Sequence, residues 1–241
     1  VRPGLTVVTG WSPKGYGVYG KRFAESFQRH MPPDVDLIVY GEEPVPLPRG
    51  EFRPLYDIPG VVEFIGRHGA NDAVRGLDVQ PHWKERAITA GYNWKYDAFK
   101  FFRQGLIPLA AAAECETDHL AWFDGDVVFR SAAPPSRVIV GWLPGKRALA
   151  HLGRHPKWSE IGFQLYRVPD ALPVLIEFSD LYTSDRFLAL KEHHSAFVFD
   201  AALMRFPQLV HDMTPGGRGD VWRRSPLWPW SDHLKGDRKY K

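Results

Sequence analysis

The sequence predicts an α/β fold, one domain in which a central sheet is flanked by helices, and three observations lead there. Residues 5–9 and 35–40 are short β-rich runs, the first ending at Gly10. Between them Tyr19, Phe23 and Phe27 recur at i, i+4 and i+8, the apolar stripe of a helix. Strand, helix, strand is how a parallel α/β sheet begins. The third observation is "HLAWFDGDVVF", residues 119–129, where an apolar run ends in Trp122 and Phe123, meets two aspartates around a glycine, and resumes with Val127. That pattern predicts a buried strand reaching the surface at Asp124 and Asp126.

The remaining elements are read in chain order. Five prolines from Pro44 to Pro59 predict an extended surface connection rather than a domain boundary. Asp97 is placed to cap a helix running toward Glu114, with Pro108 kinking it. Residues 163–168 read as a strand, and residues 171–182 and 195–206 as helices. Strands alternate with helices and nothing repeats, so residues 1–241 are assigned to one domain.

Composition agrees. A chain of 241 residues, 44% hydrophobic and 24% charged, fills one compact core. It contains no apolar run of about 18 residues, the length a membrane-spanning helix needs. The opening Val-Arg-Pro-Gly lacks the apolar stretch of a signal peptide. The single cysteine, Cys115, excludes an internal disulfide framework and fits a reducing compartment. A cytoplasmic location is the expectation. Net charge is 31 − 28 = +3, too mild by itself to imply a nucleic-acid partner. Residues 214–241, however, carry seven cations (Arg218, Arg223, Arg224, Lys235, Arg238, Lys239, Lys241) against three aspartates. The excess of four exceeds that of the whole chain, so the C-terminal tail is its basic pole, suited to a phosphate-bearing ligand.

Two carboxylates as close as Asp124 and Asp126 repel unless a cation sits nearby, and oxygen ligands suit Mg²⁺ or Mn²⁺. Gly125 gives the turn between them room. In open α/β sheets the ligand crevice lies at the carboxyl ends of strands, where this pair falls. The tail adds "DHLKGDRK", residues 232–239, which reads His-x-x-Gly-x-x-Lys through His233, Gly236 and Lys239. Histidine supplies a nitrogen ligand, glycine lets backbone approach a phosphate, and lysine offers it a point charge.

These motifs resemble a known family. Asp-x-Asp after an apolar strand marks glycosyltransferases of the A type, and the tail is similar to that of retaining members such as glycogenin and the bacterial lipopolysaccharide galactosyltransferases. The resemblance implies a Rossmann-like nucleotide-sugar-binding domain with a mixed sheet. It makes Asp124, Asp126 and His233 the metal ligands, and Gly236 and Lys239 the diphosphate site closed by the basic tail. Tyr240 stands where that family usually has proline and tryptophan. "TGWSPKGYGVYGKRF", "WFDGDVVF", "SEIGFQLY", "HHSAFVFD" and "SPL…DHLKGDRK" are similar over most of the chain to small bacteriophage and viral-metagenome glycosyltransferases. Some of these accompany dioxygenases that hydroxymethylate cytosine. Residues 228–231 replace a glycine-containing stretch of that phage pattern.

The resemblance implies a hexosyl transfer from a uridine diphosphate (UDP) sugar, with Mn²⁺ or Mg²⁺, onto 5-hydroxymethylcytosine in phage DNA, in the host cytoplasm. On it, Thr9, Trp11, Ser12, Tyr16 and Tyr19 follow the first strand toward the donor nucleotide. Asp97 and Lys100, one helical turn apart, meet sugar and phosphate. Asp126 takes part in catalysis with Glu160, which is the expected carboxylate beside the oxocarbenium-like centre or general base. His193, His194, Arg223 and Arg224 are the expected acceptor residues, with Trp222, Trp228 and Trp230 as base-stacking aromatics. The tail motif favours retention of anomeric configuration. Other readings stay open: a polysaccharide or small-molecule acceptor, a sugar nucleotidyltransferase, or a non-catalytic nucleotide-sugar-binding module. Arg218-Gly219-Asp220 is read as a chance tripeptide.

Overall fold

A computed structural model describes residues 2–77, 88–89 and 91–240; Lys241 of the basic tail lies outside the described residues. In chain order the main elements are β1 (Arg2–Trp11), α1 (Lys21–His30), β2 (Val35–Gly41), β3 (Glu51–Pro54) and α2 (Val61–His68). After them come α3 (Arg103–Glu114), β4 (Thr117–Phe123), β5 (Val127–Phe129), β6 (Leu149–Leu152) and β7 (Glu160–Arg167). The chain then adds α4 (Val168–Thr183), α5 (Ser195–Leu203), β8 (Val210–Asp212) and β9 (Ser231–His233). Seven strands form a mixed sheet in the order β8-β6-β7-β4-β1-β2-β3. β1 runs parallel to β2 and β4, whereas β7 is antiparallel to both β4 and β6.

Leu5 to Thr9 are buried on both faces of β1, which is why this strand reads as a continuous apolar run. One face of the sheet packs against α2, α3, α4 and α5 through residues such as Phe64, Phe102, Phe178 and Phe199. The other face carries α1 through Phe23 and Phe27, joined by Phe129, Trp222 and Trp230. Each fully buried Phe is worth roughly 1.5–3 kcal/mol of transfer free energy, so both layers are anchored.

Differences from the sequence reading have local causes. The proline-rich segment contains the edge strand β3, which ends on Pro54; an edge tolerates proline because no further neighbour needs its missing N–H. Asp97 does cap a helix, but only Ala98–Phe101, and α3 with Pro108 inside it follows as a separate helix. The strand read at 163–168 starts earlier, at Glu160. The extension carries Glu160 to the edge of the site. Because β7 runs antiparallel to β4, with Phe123 opposite Phe163, its first residue lies at the same sheet end as Asp124. The small β5–β9 ribbon sets His233 opposite Val127 at that end too.

Candidate metal centre and the cleft around it

Three chain segments therefore converge at the carboxyl end of β4. Ligand atoms of Asp124, Asp126 and His233 lie within 4.8 Å of one another. His233 Nε2 is 3.0 Å from Asp126 Oδ1 and 3.6 Å from Asp124 Oδ2. Behind it, His233 Nδ1 lies 3.3 Å from Glu160 Oε1. Lys239 Nζ pairs with the second oxygen of Asp126. Glu160 Oε2 pairs with Lys235 and, at 3.3 Å, with Arg154.

Local contacts fix each ligand. Asp124 Oδ1 accepts hydrogen bonds from Gln104 Nε2 at 2.6 Å and Trp122 Nε1 at 3.1 Å. The Ser195 hydroxyl donates to Gln104 Oε1, which sets the direction of that amide. A Cβ on Gly162 would fall 2.5 Å from His233 Cε1, so only glycine lets the imidazole pass here. A Cβ on Gly125 would meet the rings of Trp11 and Tyr19 at 3.1 Å. Gly125 is thus needed for space at the aromatic wall.

Electrostatics at the centre are those of a charge cluster out of water. Burial first, then the neighbouring Asp126, pushes the Asp124 carboxyl up to about 7. Burial also opposes the charge of Asp126, but His233 and Lys239 outweigh it and hold that carboxyl down at about 2. Against burial, which opposes its charge, His233 is raised to about 10 by Asp126 and Glu160. Glu160 is held well below the usual carboxylate range, burial being outweighed by His233 and Lys235.

A divalent cation fits this donor set. Asp126 Oδ1 and His233 Nδ1 are buried without a well-aligned hydrogen bond, their nearest polar atoms being His233 Nε2 at 3.0 Å and Glu160 Oε1 at 3.3 Å. Buried polar atoms are rarely left so, and such groups call for an ion or water. Two carboxylates and one imidazole are a donor set that Mn²⁺ accepts readily. Asp124, Asp126 and His233 would hold it.

The cluster sits at the waist of a two-part cleft. One half, of about 380 Å³, is lined by Gly10, Trp11, Ser12, Tyr19, Lys100, Arg103 and Gly125, with Asp124, Asp126 and Lys239 at the waist. The other half, of about 450 Å³, has Trp94, Phe101, Arg154, Trp158, Glu160, His194, Lys235 and Gly236 around the same waist. Gly236 adopts φ +57°, a left-handed backbone that glycine takes without strain. Lys239 Nζ lies over the Tyr19 ring, 5.6 Å from its centroid.

Several residues expected at the site stand elsewhere. Thr9 is fully buried on the α1 face of β1 and lines neither half of the cleft. Tyr16 donates its hydroxyl to Pro46 O at 3.0 Å and packs on Trp11, outside the cleft. Ser12 lines the first half while capping the short helix Pro13–Gly15, its Oγ accepting from Gly15 N. Asp97 is spent on structure: Oδ1 accepts from Lys100 N at 2.8 Å and Oδ2 from the Tyr92 hydroxyl at 2.7 Å. Lys100 alone of that pair faces the cleft.

His193 and His194 face different ways. His194 lies among Trp94, Trp158 and Phe101 on the second half of the cleft, its Nε2 2.9 Å from Glu192 Oε2. His193 packs instead between Tyr96 and Phe187. Arg223 pairs with Asp220 and lies over Trp228, and neither it nor Arg224 lines the cleft. Trp222 and Trp230 are core residues: Trp222 packs on the His233 ring and Trp230 stacks on Phe129. Glu160, expected against the reacting centre, instead has both oxygens engaged by His233, Lys235 and Arg154. Sequence reading missed Gln104, Gly162 and Arg154, whose importance appears only in contacts between distant segments.

This sheet order, with a carboxylate pair ending the strand beside β1, is the A-type glycosyltransferase fold. Mouse xyloside xylosyltransferase 1, in its apo form, is similar over 93% of this chain and 90% of its own, at 12% identity and a TM-score of 0.50. A glycosyltransferase involved in glycosylation of the major capsid of PBCV-1 aligns over 98% of both chains at 16% identity and a TM-score of 0.47. No protein-family model matches the chain, and no curated protein matches it. Among the described residues no helix is long and apolar enough to cross a membrane.

Proposed function

We propose that this chain is a metal-dependent glycosyltransferase that moves a hexose from a UDP-sugar to a hydroxyl acceptor, 5-hydroxymethylcytosine of phage DNA. The observation that carries the transferase reading is the buried Asp124–Asp126–His233 triplet with poorly paired atoms at the waist of the cleft. The DNA acceptor rests on the sequence resemblance to phage enzymes. Mn²⁺ or Mg²⁺ bound there supplies positive charge to a leaving diphosphate.

The chain's own residues divide the remaining tasks. Trp11, Ser12, Tyr19 and Lys100 line the half of the cleft that takes the nucleotide. Lys239, already at the carboxylates, brings an ammonium to the diphosphate, and Gly236 lets backbone come close to it. Gln104 and Glu160 are positioning residues: the first orients Asp124, the second His233. His194, Trp94 and Trp158 form the wall facing the acceptor.

In the reaction the anomeric carbon–oxygen bond to the diphosphate breaks, and its electron pair departs with UDP. The acceptor oxygen bonds to the anomeric carbon while its proton passes to a departing phosphate oxygen. Retention is favoured because Asp124, Asp126 and Glu160 are the only carboxylates lining the two halves, among the described residues, and all three are committed to the cluster. Among the described residues none remains as a base on the opposite face of the sugar.

The test incubates the chain with a panel of UDP-sugars and hydroxymethylated or unmodified DNA, in Mn²⁺ or in chelator, followed by digestion to nucleosides and mass measurement. A hexose on the hydroxymethylated nucleoside, dependent on Mn²⁺, is expected. Donor hydrolysis indifferent to chelator would overturn the metal-dependent reading. Mn²⁺-dependent hydrolysis without DNA modification would remove the DNA acceptor alone.

A further inference from the structure

Beyond the acceptor half of the cleft lies a second depression of about 750 Å³, and the two share Arg154, Trp158 and Ser159 as a common wall. Its floor is apolar. Phe197, Ala201 and Met204 recur at i, i+4 and i+7 along α5 and just past its end, and Met204 is 82% exposed. Together with half-buried Trp158 these side chains make a contiguous apolar strip rather than a single exposed residue, and contiguity is what marks an interaction surface.

Its rim is cationic. Lys157 and Lys191 are exposed on it, and among the described residues neither makes an ion pair. The lining also contains three acids: Glu192 and Asp200 have both oxygens engaged, whereas half-buried Asp212 is engaged through one oxygen. Glu192 is buried against Lys95 and His194. Asp200 accepts from Ser159 N at 2.9 Å and Ser159 Oγ at 2.6 Å. Asp212 accepts from the backbone N–H groups of Gly153 and Thr214, both at 2.8 Å. Two exposed lysines therefore outweigh one half-buried, singly engaged carboxylate above the apolar strip.

Resting on the transferase reading, we infer that this depression is the docking groove of the acceptor, and that the acceptor enters it as a single polynucleotide strand. Phosphates meet Lys157 and Lys191, and unstacked bases lie on the Phe197–Met204 strip. A neutral polysaccharide has no use for the lysines. A duplex keeps its base faces away from the apolar floor. Single-strand binders combine a basic track with aromatic faces for the bases, and this groove sets Trp158 and Phe197 beside Lys157 and Lys191. The strand would then pass Trp158 into the half of the cleft beside the carboxylates. The basic pole at Arg223 and Arg224, outside the lining of either depression, takes no part.

The test is fluorescence anisotropy with a short labelled single-stranded oligonucleotide carrying one 5-hydroxymethylcytosine, over a salt series. The wild-type chain is compared with the double variants Lys157→Glu/Lys191→Glu and Arg223→Glu/Arg224→Glu. Single-strand affinity falls with salt by a log–log slope of about 0.7 for each phosphate neutralised. The lysine variant should bind at least ~10-fold more weakly at low salt, with a slope shallower by about 1.4. Its Mn²⁺-dependent hydrolysis of a UDP-sugar, which uses neither lysine, should match wild type. The arginine variant should bind as wild type does. No oligonucleotide binding by the wild type, unchanged binding by the lysine variant, or a loss confined to the arginine variant would each overturn the groove. The transferase reading is judged separately, by metal-dependent donor hydrolysis.

Discussion

The neighbouring residues Ser159 and Glu160 enter two buried polar clusters built in opposite ways. Ser159 joins His151 and Asp200: its Oγ lies 3.0 Å from His151 Nδ1 and donates to Asp200, whose other oxygen accepts from Ser159 N. None of the side-chain atoms of that cluster is left buried and unpartnered. Glu160 joins His233, Asp126 and Asp124, where charges crowd together and Asp126 Oδ1 and His233 Nδ1 have no well-aligned hydrogen bond. A closed cluster holds elements together; an open one of concentrated charge holds a ligand. The first ties α5 to the start of β7 and the second gathers β4, β7 and the tail. Mutations should separate the two cleanly.

The largest effect is expected from Asp126→Asn. It removes a ligand charge but keeps the shape, so metal-dependent donor hydrolysis should fall by at least ~10³-fold, the equivalent of about 4 kcal/mol. The metal-free thermal midpoint should fall by a few degrees without loss of the fold, because His233 and Lys239 lose their anionic partner while Asp124 is relieved of a like charge. A variant that unfolds instead would make this cluster structural and erase the contrast.

Next come the positioning contacts. Gly162→Ala places a methyl against the His233 ring, and Gln104→Met removes the amide that orients Asp124. Each should weaken Mn²⁺ affinity by roughly 10–100-fold, read by titrating hydrolysis against Mn²⁺ concentration. Gln104→Glu, which keeps the length but not the donor, should not rescue. Unchanged Mn²⁺ dependence in all three would show that the ligands need no such support.

These two residues also mark how far the sequence could be read. Asp124 and Asp126 were legible because an apolar strand announces its own end, and His233 because the tail motif carries its spacing. Gly162 and Gln104 were not, since their meaning lies in contacts with residues 71 and 20 positions away. Thr9, Tyr16 and Asp97 show the converse. All are near the donor half along the chain, but strand alternation turns Thr9 into the core, Pro46 claims the Tyr16 hydroxyl, and helix capping consumes Asp97. The sheet's beginning was clear from its β-branched runs. The edge strand β3 was masked by its prolines, and β8 and β9 are three residues each, too short to show a period.

The closed cluster should respond in stability alone. Asp200→Ala leaves Ser159 N and Oγ without their acceptor, at a cost of about 1–3 kcal/mol, or several degrees in thermal midpoint for a domain of this size. Donor hydrolysis per folded molecule should be unchanged. Loss of turnover without loss of stability would place catalysis in the wrong cluster.

The smallest effect is a slope with pH. Burial lowers His151 to about 4, so the fold keeps it neutral while the unfolded chain takes up a proton near 6.5. The unfolded state therefore binds more protons between those values, and stability falls as pH drops from about 6.5 toward 4, by about 1 kcal/mol per pH unit from this residue. Above about pH 7 it contributes no slope. Urea midpoints across pH 7.5 to 5 should show a shallower decline in His151→Asn, whose amide can still meet Ser159; equal slopes would remove His151 as the source.

Whether the open cluster is a metal site is decided by binding of Mn²⁺ itself, followed by electron paramagnetic resonance as free ion is depleted. One site per wild-type chain is expected, lost in both Asp126→Asn and His233→Asn while Asp200→Ala retains it. Stoichiometric Mn²⁺ binding that survives loss of Asp126 and His233 would contradict the assignment.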